Sequence, residues 1–161
     1  MKRLILTGAM AFVIALGFNP QPTHAQVSAG GLDDGTLQSM LLGLGYAPTH
    51  LSKGWLIQAN RGTLKVYVQT VLSADGRKLG LNANTGLVDI DAVTAAQWKS
   101  LLVLNGDIEP TMFYLDAEKK KIFLHRVVDN RSMTPQILQV ELNKFVDQLQ
   151  STESTWGAIT Q

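Results

Sequence analysis

The chain has 161 residues, of which 45% are hydrophobic and 17% are charged, and its formal net charge is +1. This length and composition predict one folded domain and exclude a disordered or collagen-like chain, while the near-zero net charge gives no electrostatic case for binding nucleic acid. Because the sequence contains no cysteine, disulfide bonds, thiolate zinc sites and cysteine nucleophiles are excluded.

Residues 1–25 have the pattern of a secretory signal peptide. Lys2 and Arg3 precede an apolar run over residues 4–18, and Ala25 is small enough for cleavage before Gln26. A retained membrane anchor is the alternative, but this run is shorter than the ~20 residues that a membrane-spanning helix needs. We therefore predict a periplasmic or secreted protein that leaves the membrane after cleavage and then carries 12 basic and 13 acidic residues.

Residues 26–33 contain glycine and serine without hydrophobic periodicity, and they predict a flexible tether. One α+β domain is expected over residues 34–156, followed by a C-terminal tail over residues 157–161. The domain begins with a predicted amphipathic helix that is capped by Asp33 or Asp34 and ends at Gly45.

Three β-strands are predicted next. Residues 55–60 and 63–73 are β-rich runs joined by the turn residues Arg61 and Gly62. In the second run, aliphatic residues at even positions alternate with positions that include Tyr67 and Gln69, which predicts a strand packed on one face. Asp75 and Gly76 then form a hairpin turn that leads to a third strand over residues 78–83.

A capping box formed by Thr94 and Gln97 predicts a second helix, which carries Trp98, Leu101 and Leu102 and stops at Asn105-Gly106. Residues 112–116 and 121–128 predict a hairpin around a lysine-rich tip. Thr134 and Pro135 begin a last helix. The core stripe predicted for that helix consists of Leu138, Leu142, Phe145, Val146 and Leu149.

The predicted order of elements is therefore α-β-β-β-α-β-β-α. This order is unfavourable for a parallel sheet of βαβ units and favours an antiparallel α+β fold. We expect a five-stranded antiparallel sheet with helices on one face.

One further set of residues extends from the second helix to the C-terminal end: Leu101-Leu102, Asn105, Pro110, Phe113, Asp129-Asn130-Arg131, Thr134-Pro135, Thr152 and Trp156. With these residues the chain resembles, over residues 34–156, the YbjN-like domain family, which shares its fold with class I type III secretion chaperones. The resemblance implies a protein-binding fold without known catalytic residues, often dimeric. Many family members have asparagine after the tryptophan of the second helix, whereas Trp98 is followed by Lys99 here, which indicates a divergent branch. The predicted export signal is a further departure from secretion chaperones of this fold, which work in the cytoplasm.

No metal or cofactor site is predicted. After residue 25 the only histidines are His50 and His125, which are 75 positions apart, and neither belongs to a ligand motif. The His125 side chain is expected to be half-buried on a strand beside Phe123 and Val127. The Gly43-Leu44-Gly45 sequence lies at a helix end, where a phosphate would meet carbonyl groups instead of N–H donors.

Three polar clusters stand out in the sequence, and the first two are interpreted as structural. Asn82, Asn84 and Gly86, followed by Asp89 and Asp91, resemble a calcium loop but lack its closing glutamate, so they predict a turn and a helix entry. A second cluster, Asp129-Asn130-Arg131, could bind an anion, but Asx hydrogen bonding favours a turn. The third cluster leaves a two-carboxylate hydrolase open; it consists of Asp107, Glu109 and Asp116.

Two functions remain open. The first is a non-catalytic module without catalytic, cofactor or metal residues that binds a protein or peptide, or a second copy of the chain, through the sheet face opposite the helices. The alternative is a small periplasmic enzyme or ligand-binding protein, which would need a pocket with converging polar groups. The predicted partner-binding residues on the sheet face are Tyr67, Gln69, Phe123 and His125.

Overall fold

The computed structural model describes residues 32–161. The predicted signal peptide and residues 26–31 of the predicted tether lie outside the described residues. The last two residues of that tether belong to the folded domain, because Leu32 is buried and the Asp33 carboxylate accepts a hydrogen bond from the Thr36 N–H.

The described chain is α+β, with an antiparallel sheet of six strands in the order β1-β2-β3-β4-β6-β5. The predicted fold class is thereby confirmed. The elements are α1 (Asp34–Gly43), β1 (Thr49–His50), β2 (Trp55–Arg61), β3 (Leu64–Leu72), β4 (Lys78–Leu87), α2 (Ala95–Asp107), β5 (Thr111–Asp116), β6 (Lys121–Asp129), α3 (Pro135–Ser151) and α4 (Glu153–Trp156).

The sheet has one strand more than the five that we predicted. The extra strand, β1, has two residues, and it pairs Thr49 with Leu56 and His50 with Trp55. Two residues are too few to show an alternating pattern, so the sequence carried no signal for this strand. The helix α4 was also missed, because four residues are too few to show the period of an amphipathic helix.

Side-chain caps fix where the two longest helices begin. The Gln97 N–H donates to the Thr94 hydroxyl, and the Thr94 N–H donates to the Gln97 side-chain oxygen, which is the predicted capping box. At the start of α3, the Ile137 N–H donates to the Thr134 hydroxyl and Pro135 occupies the first turn. Both helix starts are confirmed.

The core lies between one face of the sheet and the helices. Leu138, Leu142 and Phe145 of α3 are fully buried, and α3 contacts β2, β6 and α1. Alternate residues of β3 and β4 point into the same core. The stripe predicted for the last helix is confirmed at every position: Leu138, Leu142, Phe145, Val146 and Leu149.

A polar network crosses this core between β5, β6 and α3. The Arg126 guanidinium donates to the Glu141 carboxylate at 2.6 and 2.9 Å, and it also donates to the Thr111 hydroxyl at 3.0 Å. The Thr111 hydroxyl donates to the Gln148 side-chain oxygen, and the Gln148 amide donates to the Ile108 carbonyl. The side chains of Arg126 and Glu141 are only 9% and 14% exposed, so this is a largely buried ion pair.

Two predicted boundaries are wrong. Helix α2 does not stop at Asn105-Gly106 but continues to Asp107, because the Asn105 side chain is bonded to β5 and the following Ile108 is buried. Strand β4 does not end at residue 83 but continues to Leu87, with a bulge between Asn84 and Gly86.

The predicted C-terminal tail packs on the end of β4. Ile159 is buried, the Gln161 N–H donates to the Leu87 carbonyl, and the Gln97 amide donates to the Ala158 carbonyl. At the bulge, a Cβ atom on Gly86 would lie 2.8 Å from the Thr160 Cβ, which leaves room only for glycine. Residues 157–161 are therefore integrated into the domain.

Within residues 32–161, no helix has the length and apolar character needed to cross a membrane.

Candidate functional site

The sheet face that the helices leave open is the candidate site, and we call it the outer face. Its side chains alternate along each strand with those buried in the core. It consists of Leu56, Gln58, Asn60, Lys65, Tyr67, Gln69, Val71, Lys78, Gly80, Asn82, Asn84, Leu87, Met112, Tyr114, Asp116, Lys121, Phe123, His125, Val127 and Asp129.

Strand register brings the four predicted partner-binding residues to this one face. Gln69 is paired with Asn82, Asn82 with His125, and His125 with Met112, so these residues form a row across four strands. Tyr67 and Phe123 each precede a member of this row by two residues on strands that run in the same direction. They therefore lie on the same side of the row, separated by two strand spacings, or about 10 Å.

An aromatic pair stands next to this row. The rings of Tyr114 and Phe123, which are directly paired across β5 and β6, are stacked with a centroid separation of 5.3 Å and an interplanar angle of 13°. The His125 ring meets Tyr114 edge-on at 6.1 Å. Such cross-strand aromatic contacts stabilise the sheet and hold the rings in one orientation before any partner arrives.

His125 sits in a largely uncharged part of the outer face. Its Nδ1 lies 2.7 Å from the Asn82 side-chain oxygen, and a Cβ atom on Gly80 would lie 3.5 Å from its Cε1, so the ring packs beside the glycine. Burial lowers the pKa of the His125 imidazole below its ordinary value. A neutral ring next to the aromatic pair is suited to packing against a partner.

The other two predicted partner-binding residues, Gln69 and Tyr67, differ in how firmly their side chains are held. The Gln69 amide nitrogen donates to the Lys53 carbonyl at 2.7 Å, so this side chain is held by the loop before β2. The Tyr67 side chain has no such restraint and is 56% exposed. Tyr67 is therefore better placed than Gln69 to enter a partner surface.

Charged residues of the outer face occur only at the ends of strands. Each lies at the first, second or last position of its strand, and the interior of the face contains only aromatic, aliphatic, amide and imidazole side chains and one glycine. Interfaces between proteins characteristically have an uncharged centre and a polar rim. The five charged residues at the rim are Lys65, Lys78, Asp116, Lys121 and Asp129.

The structure places residues of the three polar clusters in a strand, at a hairpin tip and in a surface ion pair. Asn82, Asn84 and Gly86 are residues of β4, so the predicted turn and helix entry is wrong at this point. Asp116 bonds to Lys119 at the hairpin tip, which lowers the pKa of its carboxyl. The ion pair with Arg131 lowers the pKa of Asp129 to about 2.

The residues that the structure describes give no support for a metal site or a small-ligand site at the predicted partner-binding residues. Over residues 32–161, no three His, Asp or Glu side chains are grouped so that they could hold a metal ion. Five surface depressions of about 320 to 510 Å³ lie at the margins of the domain, and none of the five is lined by Tyr67, Gln69, Phe123 or His125. The outer face is thus an open surface around these four residues.

One of these depressions, of about 400 Å³, is an apolar groove between α2 and β5. Trp98 and Leu101 line it together with Tyr114, and Leu102 on its rim is 69% exposed. Leu102 belongs to the surface because α2 lies beside the sheet edge, where its contacts are with β5 and α4.

Met112 and Tyr114, which are paired with His125 and Phe123, are among the residues of the outer face that sequence reasoning missed. Both are exposed, at 48% and 42%, and both alternate with the buried Thr111 and Phe113 along β5. That alternation was a usable signal, since the prediction of a hairpin already placed these residues on a strand.

No protein-family model and no curated protein matches the chain. Solved structures do match: YbjN from E. coli has a TM-score of 0.63 and 15% identity, and the match covers 84% of this chain and 99% of YbjN. ExsC, in the ExsC-ExsE complex, has a TM-score of 0.56 and 18% identity, with coverage of 75% and 93%.

A third match is the Yersinia pestis type III secretion chaperone SycH, in complex with a stable fragment of YscM2. Its TM-score is 0.50 at 14% identity, with coverage of 73% of this chain and 97% of SycH. The chain therefore has a YbjN-like fold that it shares with type III secretion chaperones, which confirms the fold that the sequence resemblance implied.

Proposed function

We propose that this chain is a non-catalytic module that binds a protein partner through the outer face. The observation that carries the proposal is the uncharged centre of this face, where Tyr114 is stacked on Phe123 and where His125 and Tyr67 are close by. Aromatic side chains in such a setting contribute most of the binding energy of many protein interfaces.

The shape of the face supports a protein partner over a small ligand. Small-molecule sites are concave and enclose most of the ligand, whereas Tyr67, Gln69, Phe123 and His125 line none of the five depressions described above. A stable protein interface needs about 800 Å² on each partner, which an open face of five long strands can supply.

The structural matches point the same way. ExsC and SycH were solved in complexes with ExsE and with a fragment of YscM2. A fold similar to theirs is compatible with binding a protein, although fold alone does not determine function. The proposal therefore depends on the chemistry of the outer face, and the partner that can be tested first is a second copy of the chain.

The first test replaces Tyr67 and Phe123 together with glutamate. Two negative charges in the uncharged centre are expected to abolish association, because each would be desolvated without a partner. Association is measured by light scattering for self-association and by crosslinking in cells for another protein, and circular dichroism verifies that the variant is folded.

The matched control is Ile137→Glu with Val140→Glu, which changes two hydrophobic residues of α3 that are 42% and 49% exposed. This control should associate as the unmodified chain does. A folded Tyr67→Glu, Phe123→Glu protein that retains all its associations would show that the outer face is not the binding surface.

We further propose that the protein acts after export, in the periplasm or outside the cell. The support is the signal-peptide pattern of residues 1–25. Ala25→Phe should leave a larger precursor, because signal cleavage requires a small side chain at this position. Mass spectrometry of the accumulated protein measures the outcome, and a normal N-terminus at Gln26 in this variant would contradict the assignment.

A further inference from the structure

Strand β5 is the last strand of the sheet, and its outward backbone groups have no neighbouring strand. Edge strands of this kind can pair with another chain unless something covers them. Phe113 lies in the middle of β5, and its backbone N–H and C=O point outward from the sheet. Both groups form hydrogen bonds with a side chain of α2 and not with β6.

The side chain is that of Asn105. Its oxygen accepts a hydrogen bond from the Phe113 N–H at 2.6 Å, and its nitrogen donates to the Phe113 carbonyl at 3.1 Å. An amide has one acceptor and one donor group at the spacing of a peptide unit. Asn105 therefore makes both hydrogen bonds that a residue of an added antiparallel strand would make with Phe113.

The neighbouring outward position is also occupied in part. The Thr111 N–H donates to the Ile108 carbonyl at 3.0 Å, which closes the turn that leads into β5. Together, Ile108 and Asn105 use the N–H groups of Thr111 and Phe113, which are consecutive outward donors of the edge. A strand arriving from another chain would have to displace both contacts.

The residue type at position 105 is unusual for its local structure. Asparagine is a poor helix former, and Asn105 precedes Gly106 in the last turn of α2. Alanine or leucine would favour the helix more, so helix stability does not explain the asparagine. The pair of hydrogen bonds to Phe113 does explain it.

We propose that Asn105 is a specificity-determining residue that keeps the β5 edge closed to strand pairing with other chains. Partners are then directed to side-chain contacts, such as those of the outer face, and are excluded from backbone pairing at β5. This inference goes beyond the proposed function and does not require it, because it concerns a different surface.

The test uses the purified chain carrying Tyr67→Glu and Phe123→Glu, so that any association through the outer face is already removed. Asn105→Ala is added, and Asn143→Ala, which changes an exposed asparagine of α3, is the control. Molar mass is measured by light scattering over a concentration series, and hydrogen exchange reports on the Phe113 amide.

Asn105→Ala is expected to lower the dissociation constant for self-association at least about 10-fold relative to the control, which corresponds to about 1.4 kcal/mol. In dilute solution the Phe113 amide should exchange faster than in the control, and it should regain protection at concentrations where the chain associates. A purely structural role for Asn105 would raise exchange without this dependence on concentration.

Asn105→Leu provides a second variant, which keeps the branched shape of the four side-chain heavy atoms and improves helix propensity but cannot form hydrogen bonds with Phe113. It should associate as Asn105→Ala does. The proposal is overturned if both variants keep the mass of the control at every concentration, or if neither variant folds. Association of the chain without the two glutamates is a separate result and decides only the proposed function.

Discussion

Replacing Phe145 by alanine is expected to lower the free energy of unfolding by about 3–5 kcal/mol. Phe145 is fully buried at the centre of the α3 stripe, between Leu142 and Leu149. The loss combines the transfer energy of the ring with the cavity that the rigid sheet behind it cannot fill. Leu142→Ala should cost about 2–5 kcal/mol for the same reason.

Urea denaturation followed by circular dichroism measures these changes. The matched control is Val140→Ala in the same helix, where the side chain is 49% exposed, and it should change stability by less than about 0.5 kcal/mol. If the midpoint for Phe145→Ala equalled that of the control, α3 would have to pack through a different face.

Arg126→Met is expected to lower the free energy of unfolding by about 3–5 kcal/mol, because it leaves the Glu141 carboxylate mostly buried without its main partner. Lys144 remains 3.2 Å from this carboxylate and should keep the loss from being larger. Arg131→Met is the matched control, since Arg131 pairs with Asp129 at the solvent-exposed surface, where an ion pair contributes little to stability.

A double variant separates the loss of the pair from the cost of the orphaned charge. Arg126→Met with Glu141→Leu removes both charges and should recover part of the lost stability, because well-packed apolar residues can replace a buried ion pair. A double variant less stable than Arg126→Met alone would show that the Glu141 carboxylate still stabilises the fold through Lys144 and is not an orphaned charge.

The same ion pair predicts a dependence on pH. Burial raises the pKa of the Glu141 carboxyl, but the hydrogen bonds and charges of Arg126 and Lys144 outweigh it, so the pKa lies below the ordinary 4.5. A lowered pKa in the folded state contributes stability that is present above the unfolded value and is lost as the pH falls through the folded value. The difference in stability between the unmodified chain and Glu141→Gln should therefore shrink on acidification below about pH 4.5, and a constant difference would contradict this assignment.

The elements that the sequence predicted well are those defined by contacts within about four residues. The Thr94 and Gln97 capping box and the α3 stripe are local patterns, and both appear as predicted. Asn105 and Gly86 were misjudged because distant residues determine their conformation. The Asn105 side chain is held by hydrogen bonding to Phe113 on β5, and the close approach of Thr160 at the C-terminal end requires glycine at position 86.

In the candidate site, too, the features set by local sequence were predicted and those set by distant residues were not. Alternation along single strands predicted that Tyr67 and Gln69 share one face, and that Phe123 and His125 share one. Only the pairing of β4 with β6 puts both pairs on the same surface, with His125 opposite Asn82. Strand order is a property of the whole fold, so no local pattern could have supplied it.

The position of β6 between β4 and β5 also has a consequence for how the chain folds. Strands β2 to β4 and strands β5 to β6 form two antiparallel units of consecutive strands. The pairing of β4 with β6 joins these units, and it brings together residues as far apart in sequence as Lys78 and Asp129. Closing that longer loop costs more conformational entropy. We therefore expect the two units to form early and the β4–β6 pairing to form in the rate-limiting step, so that contacts such as Asn82 with His125 limit the folding rate more than contacts within either unit.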